Sequence, residues 1–132
     1  MNAPAEDVKD MLESESSLGL VCGVGGNLFI GKEPAKPDNC VTIFDTYGRP
    51  DKLTFDNAIY ERPSVQIRVR NNNYRNGYNV INEIYLSLHG RAHEAWNGAI
   101  YEVIYCSSGP FHFDWDDNGR ARFIINLNLQ RR

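Results

Sequence analysis

The chain has 132 residues, of which 42% are hydrophobic, and a formal net charge of −3. A chain of this length buries roughly two-thirds of its unfolded surface and folds without disulfide or metal staples. The slightly negative balance argues against a free-standing nucleic-acid binder, which is ordinarily basic, while leaving room for a local basic patch.

The length predicts one domain over residues 1–132. Cys22, Cys40 and Cys106 are odd in number, far apart and without a CxxC, the pattern of reduced thiols in an intracellular setting. The N-terminus is acidic and lacks a leading apolar run. No stretch reaches the ~20 apolar residues that cross a bilayer, so a soluble protein made in a cytoplasm, with no membrane partner, is expected.

Residues 4–16 predict a helix. Pro4 suits the first helical position, Glu6 and Asp7 suit the positive dipole end, and Val8, Met11 and Leu12 form a narrow apolar stripe. Residues 19–31 are glycine-rich, with a short strand at Leu28–Ile30, and "KEPAKPDN" reads as a loop. Residues 40–44 predict a strand. Residues 45–62, with Gly48 and Pro50 and followed by Pro63, predict a long irregular connection, which compact domains keep chiefly for function.

Residues 64–70 alternate as a strand, with Val65, Ile67 and Val69 on one face and Gln66, Arg68 and Arg70 on the other. Tyr74, Tyr78, Ile81, Tyr85 and Leu88 then recur at helical spacing, widened by Val80 and Ile84 and ended by Gly90; Gly77 weakens the first turn. Residues 100–107 predict a strand. "PFHFDW" and "RARFIINLNLQ" flank "DDNG", where Asn118-Gly119 signals a hairpin turn. In the second arm Ala121, Phe123, Ile125, Leu127 and Leu129 share one face. The order predicts an α+β fold: a mostly antiparallel sheet packed by two or more helices.

Chemical motifs are sparse. "DWDDNG" places Asp114, Asp116, Asn118 and Gly119 as in a calcium loop, but Ile125 stands where the bidentate Glu belongs, so a turn is the better reading. His89 and His93 are four apart, yet Gly90 interrupts them and no cysteine pair lies nearby. "GVGGN" lacks the lysine and the serine or threonine of a phosphate loop. The cysteines sit in or beside apolar strands, as inert thiols do. No catalytic, metal or cofactor residue is expected.

Arg68 and Arg70, two apart on one strand face, carry the remaining question. Solvation, a subunit contact and DNA contact all fit them. Asp114, Asp116 and Asp117 of another copy offer the opposite sign, in a head-to-tail contact able to close a ring.

Three blocks together resemble the minor capsid proteins, or tail terminators, of long-tailed bacteriophages. They are "KPDNCVTIFDTYGRPD", "YERPSVQIRVRNNNYRNGYNVINEIYLSLHG" and "GPFHFDWDDNGRARFIINLNL". The resemblance implies a virion structural protein without catalysis or cofactor, assembled in the bacterial cytoplasm. It implies a ring, typically of six subunits, at the head-proximal end of the tail. Such a ring stops growth of the tail tube and receives the head connector, and DNA leaves through its lumen. Lumenal arginines would grip phosphate, so Arg68 and Arg70 are assigned to the subunit interface. Tyr47, Phe55 and Tyr60 of the long connection are assigned to docking on the tube protein or connector, aromatic side chains being favoured interface anchors.

Three alternatives remain open. One is a head-completion or stopper protein. Another is a nucleic-acid module using Arg68, Arg70, Arg75 and Tyr74. The third is an enzyme joining His112 or His93 to Asp114 or Cys106.

Overall fold

A computed structural model describes residues 2–53 and 59–132. The first helix, α1, runs over Pro4–Ser14 with Pro at its N-terminus and Glu6 and Asp7 in its first turn. It ends two residues earlier than its sequence pattern, and a 3-10 turn, Ser16–Leu18, follows, closed by Gly19 at φ 65°. The strands are β1 Leu28–Ile30, β2 Cys40–Leu53, β3 Ile59–Asn71, β4 Arg91–Trp96, β5 Ala99–Trp115 and β6 Ala121–Arg131, with helix α2 at Tyr74–Leu88 between β3 and β4. They form one six-stranded sheet in the order β1-β2-β3-β6-β5-β4. Only the β1–β2 pair is parallel. The expected α+β architecture is therefore present.

The alternation read from the sequence sets the register. Val65, Ile67 and Val69 of β3 stand opposite Leu127, Ile125 and Phe123 of β6. Both helices cover that face: Ala5, Val8, Met11 and Leu12 of α1 and Ile81, Ile84 and Leu88 of α2 join one buried cluster with it. Each of these side chains larger than alanine contributes about 1.5–3 kcal/mol by leaving water. Asn73 caps α2 by accepting from the Asn76 N–H at 3.0 Å. Gly77 has a further reason to be glycine, since a Cβ there would lie 2.8 Å from the Phe123 ring. Its absence lets helix and strand approach.

The described parts of the connection, residues 45–53 and 59–62, are not irregular. They belong to a long β2–β3 arm, paired at Asp45–Val65, Thr46–Ser64, Arg49–Arg62 and Lys52–Tyr60, with register shifts on either side of Arg49. The shifts absorb Pro50 and Pro63, which have no N–H to give a ladder. Gly48 is needed there, because a Cβ would fall 2.4 Å from the Arg62 carbonyl oxygen.

Two further differences lie in the C-terminal half. β5 is continuous across Gly109-Pro110 through further register shifts, so the two predicted strands are one. Strand β4 was not expected from the sequence. Asn97-Gly98, with φ 52° and 84°, is the two-residue turn that joins it to β5.

Candidate assembly surface

The second face of the sheet is built from the alternate residues of the same strands: Ser64, Gln66, Arg68 and Arg70 on β3, and Arg122, Ile124, Asn126 and Asn128 on β6. Arg68, Arg70 and Arg122 converge on one carboxylate, that of Glu33, at 3.3, 3.0 and 3.5 Å. Arg70 is 3% exposed. It also donates to the carbonyls of Pro37 (2.7 Å) and Asp38 (3.1 Å). Arg120 donates to Ala35 O at 2.8 Å and to the Asp38 carboxylate at 2.9 Å. Residues 33–38 are thus fastened across the sheet by arginines. Glu33 and Arg120, which do much of this, carried no sequence signal, because the contacts join positions up to 89 residues apart.

The acidic residues of the β5–β6 turn also find partners within the chain. Asp114 takes a bidentate pair of hydrogen bonds from Arg122, at 2.6 and 2.8 Å. The bond that Arg122 donates to Asp114 is the foremost of the influences that raise the Arg122 pKa. Asp116 accepts from Arg120 Nε at 2.6 Å and from the N–H groups of Asn118 and Arg120. Desolvation works against its charge, but these bonds outweigh it and hold its pKa below the usual range. Gly119, at φ 74°, completes the turn. Both oxygens of Asp116 are engaged in this way, as a turn requires and a calcium loop does not. Asp117 alone of the three is fully exposed. Asp38 is drawn down to about 2 by the Lys36 ammonium first, then by Asn72 and Arg120.

Arg68 lies at the open end of this lattice. Its guanidinium carbon sits 4.9 Å from the Phe44 ring centroid and 5.3 Å from that of Phe113. Phe113 is about half exposed, and so are Phe111 and Tyr105 on the same strand face. Between them and the arm runs an uncharged strip: Gln66 donates to Asn126 at 3.2 Å and Ser64 to Asn128 at 2.8 Å. On the arm Tyr47 is fully exposed and Tyr60 half-buried. Phe55 lies outside the described residues.

The alternative constellations are dispersed. Tyr74 packs on the helix side against Phe123, His112 and Trp115, with ring centroids 5.0, 5.4 and 6.1 Å apart, away from Arg68 and Arg70. His112 is in that aromatic cluster, whereas Asp114 is held by Arg122 on the opposite face. The Cys106 N–H donates to His89 Nδ1 at 2.9 Å. Burial pushes the Cys106 thiol up to about 11. His93 stands 3.1 Å from Glu102. Among the described residues no three potential ligands gather around a metal position, and no described helix is long and apolar enough to cross a membrane.

A third buried group locks the N-terminal helix to the last strand. Asp7, fully buried, accepts from Tyr101 Oη, from Arg131 at 3.2 Å and from Asn97 at 2.7 Å. Arg131 also pairs with Glu61 at the base of the arm. Burial first, and then its bond to Asp7, raises the Tyr101 pKa well above that of a free phenol.

The sheet is backed by helices on one face, arginines on the other fix the loop over residues 33–38, and several aromatic rings are left at the surface. A family model described as "Bacteriophage tail terminator protein" matches residues 7–132. The chain belongs to that family of structural proteins of the phage tail. No curated protein matches it.

Proposed function

We propose that copies of this chain close into a ring, of six subunits in the simplest case, on the head-proximal end of the tail tube. The ring stops tube growth and joins the tail to the head connector, and DNA passes through its lumen. Family membership over residues 7–132 carries this reading. The lattice around Glu33 supports it, because it holds a contact surface rigid before any partner arrives, which lowers the ordering cost of association.

Arg68, at the edge of that lattice, and Asp117, exposed in the β5–β6 turn, serve the subunit contact directly. Arg70, Asp114 and Asp116 serve it by holding the lattice in place. The β2–β3 arm, with Tyr47 and Tyr60, docks on the tube or connector.

Native mass across protein concentrations, with negative-stain images of any large species, tests the ring. A closed ring is expected. A chain that remains monomeric at every concentration, with and without its tube protein, would overturn it.

A further inference from the structure

The two helices cover one face of the sheet, and residues 33–38 cover only one end of the other. Among the described residues the rest of that second face is open, and its charges are unbalanced. Arg49 and Arg62 are direct partners across β2 and β3. Like charges placed opposite each other are unfavourable. Neither has an ion pair with any described residue, and Arg62 spends Nε and Nη2 on the Pro50 carbonyl at 3.0 and 2.6 Å. The two arginines line a recess with Tyr105, Asn128 and Gln130.

Helix α1 has the reverse imbalance, while α2 carries one charge of each sign, Glu83 and the exposed Arg75. α1 carries Glu6, Asp7, Asp10 and Glu13 against Lys9 alone. Asp10 and Glu13 are paired with Lys9, and Asp7 with Arg131. Glu6, and Glu83 on α2, are exposed, and their side chains make no hydrogen bond or ion pair among the described residues.

We infer that the open face of the sheet, through Arg49, Arg62 and Tyr105, receives the acidic helical layer of a second copy of this chain. The inference rests on the ring reading and names its contact. Charge selects the geometry. A two-fold pairing of open face on open face would set arginine against arginine. A head-to-tail contact sets Arg49 and Arg62 against Glu6 and Glu83, and it repeats around a closed ring. The exposed rings of Tyr105, Phe111 and Phe113 supply the apolar area that such a contact dehydrates.

The test is sedimentation of the whole chain at low and high salt. The variants are Arg49→Glu, Arg49→Glu/Arg62→Glu, Glu6→Lys/Glu83→Lys, and the two double changes combined, each checked for folding by circular dichroism. Arg49→Glu removes no side-chain bond among the described residues and remains informative if the Arg62 change loosens the arm. Each single-sided change is expected to raise the assembly midpoint roughly tenfold, an effect that fades at high salt. The combined variant is expected to assemble close to wild type. If wild type forms rings and the folded variants match it, the face assignment is wrong while the ring stands. If wild type does not self-associate even with its tube protein present, both fail. If Arg49→Glu leaves the ring intact but abolishes retention of duplex DNA, the face belongs to nucleic acid and the inference is overturned.

Discussion

Glu33 answers three guanidinium groups at once, and one of them, Arg70, is almost completely buried. Removing one partner of a buried pair leaves an uncompensated charge. Glu33→Ala is therefore expected to lower stability by roughly 3 kcal/mol in urea unfolding, and the carbonyls that Arg70 retains keep the cost at the lower end of the usual range. Asp38 belongs to the same lattice and supplies a pH signature. Its carboxyl is drawn down to about 2 in the folded chain. An unfolded aspartate titrates near 3.9, so the stabilisation is present above about pH 4 and is lost as pH falls toward 2. Asp38→Asn should flatten the stability profile between those values, and acid titrations followed by circular dichroism will show whether it does. The sequence placed Arg68 and Arg70 side by side on the polar face of one strand, as found. It could not show that their carboxylate sits in the proline-containing loop, because the contact spans more than thirty residues and follows no local period.

Helix and strand identities were readable wherever one face is buried. β6 reads cleanly because Ala121, Phe123, Ile125, Leu127 and Leu129 all point into the core. The β2–β3 arm was obscured by Gly48, Pro50 and Pro63, which signal loops locally but here sit at register shifts. β4 was obscured by His93, whose positive φ of 55° interrupts the alternation, although Asn97-Gly98 marked the turn after it. The left-handed backbone at His93 also breaks the regularity of this edge strand without shifting its register on β5, and irregular edges discourage sheets from joining edge to edge. Gly77 shows why propensity misleads. Alanine there would favour the isolated helix by about 1 kcal/mol. Its Cβ would instead meet the Phe123 ring at 2.8 Å. Gly77→Ala is expected to destabilise the protein by about 1–3 kcal/mol, measured as a lowered urea midpoint with unchanged slope. A rise in the midpoint would mean that α2 can move off the sheet.

At the scale of the whole molecule, the described residues place unpaired carboxylates on the helices, with Arg75 among them, and opposed arginines at the base of the arm. Overall net charge hides this, since −3 sums both sides. The family likeness was legible in three sequence blocks, and the family match over residues 7–132 agrees with it. The contact geometry was not legible, because it depends on which residues the fold leaves without partners. The measurement that bears most directly on the proposed role is growth of the cognate tail tube in the presence of the purified chain, followed by electron microscopy. A ring at one end of each tube, with growth halted there, is the predicted result. Tubes that lengthen at the same rate with bare ends would contradict it.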